Sequence, residues 1–195
     1  YHPTTGVDLQ HLQELLAEHK DRKLKIGTFS AASNVTGILT AVNEVALICH
    51  QHGALAFFDY ATAAPYVKID MNPVDIQEGG HLMYKDAVIF SGHKFLGGPG
   101  TPGVLIVKRR ILPQNDAKPT NPGGGTVFYV TDEHHRYLSN KEEREEGGTP
   151  FVIGDIRLGL VMQLKNQLGI SFIQQEESRI SMEAFNRLSS HPKIV

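Results

Sequence analysis

Val88-Ile89-Phe90-Ser91-Gly92-His93-Lys94-Phe95, continuing as Leu96-Gly97-Gly98-Pro99-Gly100, is the stretch whose reading decides the fold. Its apolar part does not alternate with polar residues, as expected of a strand buried on both faces. A loop dense in glycine and proline follows, and Gly103 to Val107 is again apolar and strand-like. The linker between them is too short for a helical crossover, so the later strand is expected to run antiparallel to the earlier one. Lys94 stands at the strand mouth, where a lysine is costly unless its amine is used. A desolvated or cation-flanked lysine loses basicity and becomes a nucleophile able to form a Schiff base.

Working outward, Asp86 to Phe90 forms the body of this strand, and Ala54 to Phe58 is a second continuous apolar strand that ends at Asp59. Lys23 to Ser30 reads as another strand around Leu24, Ile26 and Phe29, followed by a polar turn from Ala31 to Thr36. Ahead of the strands, Asp8 to His19 places Leu9, Leu12, Leu15 and Leu16 on one helical face, with Asp8 as N-cap. Leu39, Val42, Val45, Ala46 and Cys49 recur at helical spacing from Gly37 to His52, and Gly53 closes that helix. Residues 113–126 read as loop, and Phe151 to Leu168 and Ser171 to Ser190 as two helices broken at Gly169. Strands alternating with helices indicate an α/β fold: a three-layer, mostly parallel mixed sheet with helices on both faces.

The composition is that of a globular domain: 195 residues, 41% hydrophobic, 21% charged and a net charge of −2, which leaves no basic face for nucleic acid or an anionic membrane. The apolar runs are strand-sized, far short of the roughly 20 residues that span a bilayer. Cys49 is the only cysteine, so no internal disulfide forms, and a reducing, cytoplasmic compartment is expected. The chain begins at Tyr1, which leaves a preceding targeting segment open.

In open α/β sheets ligands bind beyond the carboxyl ends of the strands, and Asn34, Asp59 and Ser91 to Lys94 all fall there. A lysine for an aldehyde and an aspartate for a pyridinium nitrogen are the groups that pyridoxal 5'-phosphate requires. Lys94 is then both the anchor and the base that moves a proton of the substrate, while Ser91 and His93 are donors to the phosphate. Each has a plainer alternative: a surface lysine, a turn aspartate, loop polarity. Gly123-Gly124-Gly125-Thr126 presents amides to an anion or is simply a flexible loop. Cys49 reads as core, His50 and His52 do not share a helix face, and His134-His135 lack zinc spacing. Lys141 to Glu146 reads as an exposed charged face. No strand runs into a G-x-G-x-x-G turn that opens a helix, which speaks against a dinucleotide site.

Taken together, Ser33-Asn34-Val35-Thr36-Gly37, Asp59-Tyr60-Ala61, Ser91-Gly92-His93-Lys94 and Glu145-Glu146-Gly147-Gly148-Thr149-Pro150 resemble the class V aminotransferases, and within them the cysteine desulfurase and selenocysteine lyase group. The resemblance runs from Gly27 to about Leu168. It implies a fold type I enzyme with pyridoxal 5'-phosphate, an amino-acid substrate and a homodimer with shared active sites. Residues 1–168 are then part of the cofactor-binding large domain, and 169–195 begin the helix that leads to a small C-terminal domain. By position it makes Lys94 the Schiff-base lysine, Asp59 the pyridinium partner, and Ser91 and His93 the phosphate contacts. Asn34 matches the asparagine near the cofactor's phenolic oxygen, and Thr126 the loop that reaches the phosphate across the dimer.

Thr62 stands where many desulfurases carry a glutamine bonded to the phenolic oxygen, so that contact is lost, bridged by water, or supplied by Tyr60. Family members are longer and carry a phosphate-binding turn, a carboxylate-binding arginine and, in desulfurases, a nucleophilic cysteine that these residues do not match. Transaminase or lyase chemistry, and a scaffold without catalysis, are the alternatives to desulfuration.

Overall fold

The apolar segments assemble side by side. In the computed structural model, which describes residues 2–74, 79–112 and 118–194, Ile26–Ser30 (β1), Leu55–Asp59 (β2), Ala87–Ser91 (β3) and Gly103–Val107 (β4) form one sheet in the order β1-β2-β3-β4. β1, β2 and β3 are parallel, and β4 is antiparallel to β3, as the short glycine loop requires. Ser30 pairs with Asp59, so β1 and β2 end level, whereas Asp59 pairs with Ile89 and β3 runs on past it to Ser91. The strands include Asp59 and Ser91 as their last residues, one beyond the apolar runs.

Helix α1 (Leu9–Glu18) begins at Asp8, whose carboxylate accepts the His11 N–H at 3.0 Å. Leu9, Leu12 and Leu16 pack on the core, whereas Leu15 does not join that face and is 40% exposed. Residue 15 sits about 100° around the helix from residue 16, at the edge of the stripe. α2 (Val42–Gln51) starts five residues later than the apolar spacing from Gly37 suggests. Gly37 is left-handed at φ +71°, and the Thr40 hydroxyl donates to the Ser30 carbonyl at 2.6 Å. Leu39 bridges Ala32, so this segment returns along the end of β1 before the helix can begin. Gly53, at φ +66°, follows the helix end as expected.

Val45, Ala46 and Cys49 of α2 bury against Ala56, Phe58, Val88 and Phe90 on one face of the sheet. Full burial of the valines and phenylalanines among them contributes roughly 1.5–3 kcal/mol each. The opposite face carries Ile26, Ile89 and Leu105, which are exposed among the described residues.

Beyond the sheet, Val127–Val130 (β5) and His135–Tyr137 (β6) form an antiparallel hairpin that the sequence did not lead us to expect. Of the loop expected over 113–126, residues 118–126 are irregular and 113–117 lie outside the described residues. Lys141–Glu145 is a short helix, α3, capped by Asn140. It is not wholly an exposed charged face, because Arg144 is buried. α4 (Val152–Leu168) and α5 (Ile170–Ser189) are separated by Gly169 at φ +79°. Val161 of α4 joins the core beside Phe95. Among the described residues no helix is long and apolar enough to cross a membrane.

Candidate active site at the strand mouths

The ladder continues past the strand ends: the Ala31 N–H donates to the Asp59 carbonyl at 2.8 Å and the Tyr60 N–H to the Ile89 carbonyl at 2.7 Å. This holds Asp59 in place at the rim. Phe58 and Tyr60 point into the core and Asp59, between them, points the other way and is exposed. Its Oδ1 accepts the Ala61 N–H at 2.7 Å, the turn role that aspartates commonly take. Among the described residues nothing engages Oδ2. One oxygen shapes the turn and the other is available.

Lys94 closes a single 3-10 turn, Gly92–Lys94, in which the Phe95 N–H returns to the Gly92 carbonyl at 3.1 Å. The Phe95 ring is buried with its centroid 5.8 Å from that of Phe90, and this anchor leaves His93 and Lys94 facing outward. Among the described residues no hydrogen bond or ion pair occupies the Lys94 amine. The glycine loop then folds back beneath the turn. A Cβ on Gly98 would lie 2.1 Å from the Gly92 carbonyl oxygen, so this approach admits only glycine. Arg157 of α4 secures the loop by donating to the Pro99 carbonyl at 2.7 Å.

Asn34 is presented by a loop stapled around Ser33, whose hydroxyl accepts the N–H groups of Val35 and Thr36 at 3.2 and 3.1 Å. The asparagine is exposed, Ser91 and Thr62 are half-buried, and their side chains have no partner among the described residues. Tyr60 is 3% exposed and burial raises its phenol to about 12, so it presents no hydroxyl at the rim. A cavity of about 390 Å³ lies beside Lys94, between Tyr66, Phe95, Lys165 and Phe172. Asn34 and Asp59 do not line it, so the strand mouths form an open shelf adjoining the cavity.

Thr126 belongs to a separate group. Its hydroxyl donates to the Gly123 carbonyl at 2.6 Å, and the residue is wholly buried in its own loop. That loop packs on the Gly147-Gly148 turn, with the Gly148 N–H donating to the Gly124 carbonyl at 2.8 Å. The two glycine segments singled out in the sequence thus meet each other. Any anion there would be met by backbone amides rather than by the threonine hydroxyl.

Cys49 is fully buried and burial raises its thiol to about 11, so it is core and not a nucleophile at neutral pH. His50, beside it, carries a polar network that sequence reading missed: its Nε2 lies 2.8 Å from Asp86, which also accepts the Ala56 N–H and pairs with Arg110. Lys165 was also missed. It bonds carbonyls about a hundred residues away, and nothing local marks it.

The chain has relatives among named proteins. A probable cysteine desulfurase of Halalkalibacterium halodurans is 33% identical over 186 residues, covering 94% of this chain and 41% of that protein. Among solved structures, the cysteine desulfurase CsdA of Escherichia coli is 26% identical with a TM-score of 0.67, covering 92% of this chain and 42% of its own. The apo cysteine desulfurase of Thermococcus onnurineus NA1 shares the fold at a TM-score of 0.74 and 24% identity, over 97% of this chain and 44% of its own. The chain therefore spans less than half the length of these proteins, and its architecture is that of their α/β, fold type I structures. The family description aminotransferase class-V matches residues 3–195, and the chain belongs to that family.

Proposed function

We propose that this chain is the cofactor-holding part of a pyridoxal 5'-phosphate enzyme that acts on an amino acid, with cysteine desulfurase or selenocysteine lyase chemistry as the leading assignment. The observation that carries the proposal is the free Lys94 amine and free Asp59 oxygen at the mouths of neighbouring, paired strands. The donor set fits the cofactor: an amine for its aldehyde, a carboxylate for its ring nitrogen, and Ser91 and His93 for its phosphate. Asn34 and Thr62 flank the same rim. When bound, the cofactor supplies an aldehyde that links to amines and a ring that withdraws electrons from the substrate.

The protein's part is positional and acid–base. Asp59 stabilises positive charge on the ring nitrogen through the oxygen that its turn leaves free. Lys94 holds the cofactor and, once released, accepts and returns a proton at Nζ. Ser91 and His93 fix the phosphate end. The desulfurase assignment rests on the named relatives, and the thiol that takes sulfur is not Cys49, the only cysteine of these residues. We further propose a homodimer in which the Thr126 loop serves the second copy's site. The exposed Phe128 and Val130 of β5 suit that contact.

Titration of the chain with pyridoxal 5'-phosphate, borohydride reduction and peptide mapping test the assignment. The expected product is cofactor fixed on Lys94, lost in Lys94→Ala. Fixation on another lysine, or none, would overturn it. The openness of the shelf favours one second reading, a scaffold that retains the fold without catalysis. Cofactor capture with no turnover of cysteine or another amino acid by the full-length protein would establish that reading.

A further inference from the structure

We propose that Lys165 is a positioning residue of this site, holding the Asp59 turn and the Lys94 turn in register with each other; the inference rests on the cofactor role proposed above. Residues 60–67 form a tight helical turn, with the Ala64 N–H donating to the Tyr60 carbonyl at 2.7 Å and the Val67 N–H to the Ala63 carbonyl at 3.1 Å. Asp59 satisfies the N–H of Ala61 at the start of that turn, at 2.7 Å. At its end the carbonyls of Ala64 and Val67 are left without a helical partner, as at any helix C-terminus. The Lys165 ammonium takes both, at 2.5 and 2.7 Å. A cation there also meets the negative end of the peptide dipoles.

The same ammonium stands 5.5 Å from the centre of the Phe95 ring, the anchor of the turn that presents Lys94. One side chain of α4 therefore touches both segments that carry the chemistry, through carbonyls on one and an aromatic face on the other. Burial lowers the pKa of Lys165, and among the described residues no carboxylate pairs with it. Glu176 and Glu177 line the adjoining cavity without reaching it. A half-buried cation with no counter-charge is expensive to keep. It is warranted where its donors fix a geometry that an apolar side chain could not.

The experiment compares the 195-residue chain with Lys165→Met, Lys165→Arg and Phe95→Leu. Amide exchange at 60–67 and 92–97 and pyridoxal 5'-phosphate titration are read on each. Lys165→Met is expected to speed exchange in both segments by about tenfold or more, as loss of charge-assisted hydrogen bonds does. It is also expected to weaken cofactor affinity about tenfold and to move the pH midpoint of the bound cofactor's visible absorbance by about half a unit or more. Lys165→Arg restores most of each effect. Unchanged exchange, affinity and pH midpoint in a folded Lys165→Met would overturn the proposal, as would a lower melting temperature with none of these three moved. If Lys165→Met does not fold, Phe95→Leu decides: faster exchange at 92–97 with a shifted midpoint supports the clamp, and no change refutes it. If the parent chain captures no cofactor, the function proposed above fails, and exchange at 60–67 and 92–97 alone decides the role of Lys165.

Discussion

Gly98 lies so close to Gly92 that a Cβ on residue 98 would stand 2.1 Å from the Gly92 carbonyl oxygen. Because Gly92 opens the turn that ends in Lys94, this approach sets where the amine emerges. Gly98→Ala is expected to cost about 1–3 kcal/mol through overpacking and to weaken cofactor capture. Gly159, inside α4, has open space where its Cβ would go. Gly159→Ala is expected to add about 0.5–1 kcal/mol, since alanine is the better helix former. Urea unfolding of the two variants measures both effects, and a Gly98→Ala protein as stable as the parent would contradict the packing described.

The rim of the sheet was legible in the sequence because each loaded residue follows an apolar run: Asn34 after β1, Asp59 at the end of β2, Ser91 at the end of β3. Short-range pattern suffices where the fold itself places strand ends together. It failed where tertiary bonds override spacing. Thr40 and a left-handed Gly37 hold back the start of α2 against its apolar period. β5 and β6 are short and expose Phe128 and Val130, so no alternation announces them. Arg144 sits in a charged run that gives no sign of its burial. The Lys165 contacts join residues 101 and 98 apart, beyond any periodic signal.

Asp59 commits one oxygen to its turn, and the cofactor contact proposed for the other can be tested separately by mutation. Asp59→Asn keeps an oxygen for the Ala61 N–H, so stability is expected to stay within about 0.5 kcal/mol of the parent. Asp59→Ala loses that bond as well and is expected to cost about 1 kcal/mol. Both variants lose the charge proposed to face the cofactor's ring nitrogen. In the full-length protein each is expected to slow turnover on the order of 100-fold or more. Denaturation curves and steady-state rates check the two halves independently. Equal rates for Asp59→Asn and the parent would remove Asp59 from the chemistry.

Lys85 is buried beside α2, with its Nζ donating to Asn43 Oδ1 at 2.9 Å, and burial pushes its pKa from 10.5 down to about 8. Between about 8 and 10.5 the unfolded chain therefore binds more protons at this residue than the folded one, and stability rises with pH across that window. Below it the folded chain bears the full cost of a buried ammonium. Lys85→Met is expected to stabilise the protein at pH 7 by about 1–2 kcal/mol, after allowing for the lost Asn43 bond. The advantage fades as the pH approaches 10.5. Urea unfolding of both proteins at pH 7 and pH 10 measures the difference, and a gain that does not vary with pH would show that Lys85 is not depressed.

Asp86, the next residue and also at the amino end of β3, presents the opposite sign. Burial raises its pKa, but hydrogen bonds from His50, the Ala56 N–H and Arg110 outweigh burial and hold it below the ordinary 3.8. A carboxylate depressed in the folded state contributes stability that is present above the unfolded pKa and lost as the pH falls through the folded one. Both ring nitrogens of His50 face acceptors, the Leu82 carbonyl and Asp86 Oδ2, so removing the carboxylate strands His50 Nε2 and the buried Ala56 N–H, while the solvent-exposed Arg110 keeps the Tyr84 hydroxyl. Asp86→Ala is expected to cost about 1–3 kcal/mol at pH 7 for each buried donor left unpaired. Asp86→Asn, which retains an acceptor, is expected to cost less and to flatten the loss of stability below pH 3.8. Unfolding free energies from pH 6 down to pH 2 test this. An acid limb as steep in Asp86→Asn as in the parent would place the acid sensitivity on other carboxylates and leave Asp86 with a packing role alone.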